Sequence, residues 1–283
     1  MSALLPELEP PMNSFAKLAL ASVVGLVVCV WLLSPGASSP PSQKTPASVE
    51  LRVYCAAGLK AAVEPASAQF ENETGIAIRL QYGGSGSLLS SLAVSPEGDV
   101  FIPADDSYLA QAASNGWVHL SRPVASMNPV LAVAKGNPRQ LRTLEDLLKP
   151  GLRLALANPD VAAVGKVTRD RLQTLGHWAS VEKQAIVFKP TVNDVANDIK
   201  LGAVDAGIIW DATAAQYPEL EPVPLKEFET LHQPFSVVAL SRSKHPAAAE
   251  AYATYLTTPG KGLEQFRRRG YRVPSLLPAS PAR

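Results

Sequence analysis

Only two cysteines, Cys29 and Cys55, occur in 283 residues, which excludes a disulfide framework and a thiolate zinc site. Charge is balanced rather than biased: 26 Lys and Arg stand against 25 Asp and Glu, a formal net charge of +1. A nucleic-acid-binding domain would show a basic excess, so no nucleic acid is expected among the partners. The four histidines, His119, His177, His232 and His245, have no metal-ligand spacing. No Gly-Lys-Ser/Thr phosphate loop occurs, and Gly84-x-Gly86 lacks the third glycine of a dinucleotide fingerprint. Neither a cofactor nor a free metal cation is therefore expected. No short-period repeat is visible, which excludes solenoids and propellers.

What is present is a core. With 47% of residues apolar and 18% charged, the chain can bury one large or two medium domains, and disorder throughout is excluded. Ten of the 25 prolines lie in residues 1–48 or 271–283, so the proline excess sits at the ends. Leu18 to Leu33 is a run of 16 residues without a charge, preceded by Lys17 and followed by Ser34-Pro35-Gly36. A membrane span wants about 20 apolar residues and a signal h-region about 7–15. Residues 1–33 are read as a signal peptide or an N-terminal membrane anchor. Cys29 is read as a hydrophobic residue within that helix, because Val28 before it and Val30 to Leu33 after it do not suit a lipid acceptor. Residues 34–48 (SPGASSPPSQKTPAS) read as a Pro/Ser-rich linker. The folded part is expected to begin near Val49 and to lie outside the cytoplasm, periplasmic or extracytoplasmic, tethered or released. Residues 274–283 read as a flexible tail.

Within the folded part, apolar runs suited to strands alternate with segments of helical spacing. LRVYCA (51–56) is followed by a helix over 61–74, IAIRLQY (76–82) by a helix through LLSSLAV, and DVFIP (99–103) by a helix over 107–115. A second set follows: strands at 152–157, 185–188 and 206–210, with helices over 165–175 and 193–201. The similar runs PVLAVA (129–134) and FSVVAL (235–240) bracket this second set, and two closing helices span 246–256 and 260–268. Strand, turn and helix in repetition define an α/β fold with a mostly parallel sheet. The expected organisation is lobe 1 over 49–128, lobe 2 over 129–234, and a return to lobe 1 over 235–273.

Three strand-to-helix turns are made of small residues: Ala57-Gly58, Gly83 to Ser87, and Pro159 to Gly165. Such helix starts present free N–H groups and a partial positive charge, and so bind anions without a charged side chain. Tight structural connections would use the same residues. Around Ser85 the sequence Gly83-Gly84-Ser85-Gly86-Ser87 lacks the final glycine of a nucleophile elbow, so a membrane-tethered serine hydrolase is a remote alternative and no enzyme is expected. Asp105-Asp106 reads as a turn or helix cap rather than an acid-base pair, and Arg267-Arg268-Arg269 as a solvated helix end.

Five stretches carry a resemblance: VYCAAGLKAAVEPASAQFENETG, LQYGGSGSLLSSL, GDVFIPADDSYL, LALANPDVAAVGKVTRDRLQTLGHW and VNDVANDIKLGAVDAGIIWDA. Their order and spacing resemble the periplasmic molybdate-binding proteins of ABC transporters over about Leu51 to Val273. The resemblance implies a two-lobed periplasmic-binding-protein fold of type II, joined by two crossover strands near 129–134 and 235–240. It implies a tetrahedral oxyanion, molybdate or tungstate, held between the lobes by uncharged donors. Carried over, the contacts fall on Gly58 and Ser85 in the first lobe and on Val164, Val195 and Trp210 in the second. The family usually has serine at Gly58 and tyrosine at Trp210, so two hydroxyls are absent. Ser87 or further backbone donors of the GGSGS loop would compensate, and Lys60 is a nearby charge. The implied partner is an ABC permease with its ATPase, served by a monomeric receptor. A receptor of the same fold for sulfate or phosphate is the alternative.

Overall fold

A computed structural model describes residues 49–95 and 97–274, so the expected signal or anchor, the linker and all but the first residue of the expected tail lie outside the described residues. Among those described, no helix is long and apolar enough to cross a membrane.

The chain opens with β1 (Glu50–Ala56), α1 (Lys60–Thr74), β2 (Ala77–Gly83), α2 (Ser85–Val94), β3 (Val100–Ile102), α3 (Asp106–Ser114) and β4 (Val118–Met127). It continues through β5 (Pro129–Ala134), β6 (Leu154–Ala157), α4 (Ala163–Thr174), α5 (Trp178–Gln184), β7 (Ala185–Lys189), α6 (Val192–Lys200), β8 (Ala206–Trp210), α7 (Asp211–Ala214) and β9 (Leu220–Val223). It closes with β10 (Gln233–Leu240), α8 (Pro246–Thr257) and α9 (Gly262–Arg268).

Two five-stranded sheets result, ordered β2-β1-β3-β10-β4 and β7-β6-β8-β5-β9. In each, one strand runs against the other four: β10 in the first and β5 in the second. The direction follows from where the chain crosses. β4 ends at Met127, Asn128 makes the crossing, and β5 starts at Pro129 opposite Trp210, the last residue of β8. The return runs over residues 224–232 into β10, whose first residue Gln233 pairs with Met127. A strand that enters at the carboxyl end of a parallel set must run down it. Both crossings therefore lie at the sheet edge where the βα turns gather.

Central strands read as unbroken apolar runs because both faces are covered: β3, β6 and β8 are buried at every residue. β4 and β9 are edge strands that the apolar pattern misses. Each contains a proline, Pro123 or Pro222, which a ladder tolerates at an edge where an N–H need not be donated. Another proline, Pro65, sits inside α1 and cannot donate to the carbonyl four residues back, that of Ala61. Arg269 supplies the missing donor, its Nη1 lying 2.7 Å from the Ala61 oxygen, so this arginine is a structural clasp rather than a solvated helix end.

Asn128 ties the two crossings together. Its amide nitrogen donates to the Glu229 carbonyl (3.2 Å), its side-chain oxygen meets His232 Nδ1 (3.1 Å), and its backbone N–H donates to Asp211 Oδ1 (3.0 Å). Arg272 completes the cluster with an ion pair to Asp211 at 2.8 Å. In the second lobe, Asp205 clamps the starts of β6 and β8, taking Arg153 Nη2 at 2.7 Å, the Arg153 backbone N–H at 2.9 Å and Arg139 Nη2 at 3.1 Å.

Hydrogen bonds from Arg153 lower the Asp205 pKa from 3.8 to about 2. A depressed carboxylate stabilises the fold above its ordinary pKa and loses that contribution as pH falls through the folded value. Asp205→Asn is expected to lower Tm by about 2–4 °C at neutral pH. The gap from wild type should shrink between about pH 4 and pH 2, measured by thermal melts across that range.

Candidate functional site

One cleft lies where the carboxyl ends of β1, β2, β6, β7 and β8 face each other across the two lobes, the location expected of a ligand site in α/β sheets. Its free space is small, about 10 Å³, on the order of what a single water needs. Among the described residues, no Lys, Arg, His, Asp or Glu lines it. What lines it is backbone and small side chains, because each strand runs straight into a helix start.

The helix starts are left open toward the cleft. α2 begins after Gly84 and α4 after Ala162, and neither residue's side chain caps the helix. The N–H groups of Ser85, Ala163 and Val164 stand in first turns, where no intrahelical acceptor exists. Ser85 is buried, and its Oγ accepts the Ala104 N–H at 3.0 Å, which leaves the hydroxyl hydrogen to donate elsewhere. Gly58 is held from behind: the Tyr271 hydroxyl donates to its carbonyl, and Tyr271 packs edge-on against Phe235 and Phe266. Burial pushes the Tyr271 phenol pKa well above its ordinary value, so it remains a protonated donor.

Gly58, Ser85, Val164 and Trp210 are thus brought together on one cleft. Val195 and Ser87 are not among the lining residues. Val195 is the fourth residue of α6, and its N–H already donates to the Thr191 carbonyl (3.4 Å) while its side chain packs against Gly207. Thr191 and Val192 line the cleft in its place, since Thr191 is the N-cap and Val192 the first helical residue. The signal was in the sequence: Thr191-Val192-Asn193-Asp194 is a capping box, with the Thr191 side chain accepting the Asp194 N–H and Asp194 accepting the Thr191 N–H. Ser87 donates its N–H to the Val161 carbonyl (3.4 Å) rather than into the cleft. Lys60 is exposed, its ammonium 5.2 Å from the Tyr82 ring centroid. Asp105 caps α3 through the Ser107 N–H at 2.9 Å.

Two departures from the expected donors have a steric context. A Cβ at Gly58 would lie 2.9 Å from Val192 Cγ1 and 3.4 Å from Trp210 Cδ1, so the branched valine and the indole occupy the room a side chain would need. The loop glycines are needed for a different reason. Gly86 donates its N–H to the Val161 carbonyl at 2.9 Å, a bond from first lobe to second. A Cβ at Gly84 would overlap that carbonyl oxygen, and one at Gly86 would lie 2.8 Å from the Asp160 oxygen. Glycine lets the two backbones meet, and the lobes are shut on one another along this seam.

A fold of two helix-flanked sheets closed over a charge-free cleft defines a two-lobed solute receptor of the periplasmic-binding-protein type. The chain belongs to the bacterial extracellular solute-binding protein family, which matches residues 51–272. Proteins of this family are non-enzymatic and serve ABC transport. The chain is 28% identical over 260 residues to the molybdate-binding protein ModA of Mycobacterium tuberculosis, covering 89% of this chain and 94% of that one. It is 29% identical over 299 residues to a sulfate-binding protein of Synechococcus elongatus, covering 91% and 81%. The solved periplasmic molybdate-binding protein of Azotobacter vinelandii superposes with a TM-score of 0.66 at 20% identity, covering 79% of this chain and 99% of that one.

Gly84→Ala is expected to keep the lobes from shutting and to weaken solute binding by at least about tenfold, measured by calorimetry. The Tm of the unliganded protein should move by less than about 2 °C, since the clash exists only in the shut form.

Proposed function

We propose that the protein captures molybdate or tungstate between its lobes and delivers it to the permease of an ABC transporter. The observation that carries this reading is the absence of any charged side chain on a small cleft ringed by open helix starts from both lobes. Burying a dianion is costly unless its oxygens are all hydrogen-bonded, and charge-assisted bonds from aligned backbone donors meet that cost. The proposed donors are the N–H groups of Gly58, Ser85, Ala163, Val164 and Val192, the Ser85 hydroxyl and the Trp210 indole N–H. Residues 49–128 with 235–273 close as one body against residues 129–234, by rotation about the Asn128 and 224–232 crossings.

Phosphate suits this cleft poorly. At neutral pH it carries a proton that wants a strong acceptor, and no carboxylate lines the site. Sulfate has the same charge and shape as molybdate but is smaller, and the similarity to a sulfate-binding protein favours it as the second reading. The charge-free run Leu18 to Leu33 and the linker after it support a receptor outside the cytoplasm, anchored or released. The mass of the amino terminus of protein from its native envelope separates those two states.

Thermal melts with molybdate, tungstate, sulfate and phosphate at micromolar concentration test the ligand. At a hundredfold excess over Kd, molybdate and tungstate are each expected to raise Tm by about 5–10 °C, with sulfate and phosphate inert. A shift with sulfate alone would move the assignment to sulfate, and no shift with any of the four would sink the oxyanion reading.

A further inference from the structure

Behind the cleft, a chain of hydrogen bonds runs from the second lobe to Gly58. It starts at Gln216, two residues past the end of α7 in the second lobe. The side-chain nitrogen of Gln216 donates to the Ala212 carbonyl at 2.8 Å, which fixes the amide's orientation, since its oxygen in that place would face another acceptor. The same nitrogen lies 3.3 Å from the Tyr271 hydroxyl. An amide nitrogen only donates, so the phenol oxygen accepts there and its single hydrogen is left for the Gly58 carbonyl. The Tyr271 ring is buried and held edge-on by Phe235 and Phe266 of the first lobe, so the hydroxyl has no other place to go. Gly58 lines the cleft on its other side. A glycine has the freest backbone of any residue, and a donor that must be ordered at each binding event costs affinity unless something else holds it.

We infer that Tyr271 is a positioning residue of the binding site: its hydroxyl, oriented by Gln216 of the second lobe, fixes the backbone at Gly58 and with it the Gly58 N–H as a ligand donor. The inference rests on the oxyanion reading above and adds to it a side chain that touches no ligand. The ends of the chain stand in different lobes, Gln216 in the second and Gly58 in the first, with Tyr271 between them. The clasp is therefore complete only when the lobes are shut, and closure orders the donor as the ion is enclosed.

Tyr271→Phe keeps the ring and removes only the hydroxyl. Its affinity for molybdate, or for sulfate if wild type binds that ion instead, is expected to fall about tenfold by calorimetry. Gln216→Met keeps the length of the side chain and removes its donors. It should weaken binding about three- to fivefold and move the Tm of the unliganded protein by less than about 2 °C, because its bond to Tyr271 is made across the lobes. The two residues act in series, so the double variant should bind like Tyr271→Phe alone. A tyrosine that serves only the core gives a different pattern, a lower Tm with the affinity of wild type, and that result overturns the inference. Losses that multiply in the double variant, or Gln216→Met binding like wild type, overturn it as well. If Tyr271→Phe does not fold, Gln216→Met decides: weakened binding supports the inference and unchanged binding overturns it. Wild-type protein that binds an oxyanion, with Tyr271→Phe binding equally well, sinks this inference alone. Wild-type protein that binds none of the four oxyanions sinks it together with the oxyanion reading.

Discussion

The proposed function asks the cleft to bury a doubly negative ion without a single counter-charge in contact, and that is the constraint on which the rest depends. In a low-dielectric cleft the ion must exchange its whole hydration shell for donors, and the only donors available in quantity without a side chain are unpaired helix N–H groups. A parallel α/β sheet supplies these at its carboxyl edge, one helix start per strand. The requirement accounts for the composition of the turns. Alanine, glycine, valine and a few hydroxyls stand where a cationic side chain would otherwise take over, and Gly84 and Gly86 carry no Cβ because the opposing backbone is in contact with them.

The same constraint explains why one lobe does not suffice. A single sheet edge reaches only one side of a tetrahedral ion, so the fold is doubled and the chain threads between the copies twice. Both threads pass the cleft edge, where Asn128 binds the two crossings and the start of α7 into one cluster. Trp210 ends β8 just before α7, so the residue that closes the cleft floor is one peptide away from the cluster at the crossings. Motion of one lobe against the other and occupation of the cleft thereby act on the same short stretch of chain.

Much of this arrangement is legible in the residues. The apolar runs of β1, β3, β6 and β8, the helix spacings between them and the small-residue turns locate both sheets and the cleft. The edge strands β4 and β9 escape notice because Pro123 and Pro222 break the pattern, and an edge is the one place in a sheet where that break costs little. Val192 rather than Val195, three residues later, lines the cleft, and the Thr191–Asp194 capping box marks that helix start in the sequence. The tight packing around Gly58 and the Gln216–Tyr271 bond behind it could not be read from the chain, since both depend on which side chains of the second lobe arrive opposite the first. The near-zero net charge excludes a broad basic surface for a polyanion. It does not exclude a small dianion, which helix starts hold with no surplus of lysine or arginine.

The central claim is that the ion is bound as a dianion by neutral donors, with no protonation change in the protein. Calorimetric titration of molybdate in buffers of different ionisation enthalpy counts the protons exchanged on binding. From about pH 6 to about pH 9, the span in which His, Cys and the α-amino group titrate, the expected count is zero and the affinity is flat. Uptake or release of a proton near one per ion, with an affinity that follows it, would mean that a titrating side chain holds the ion and would contradict the account.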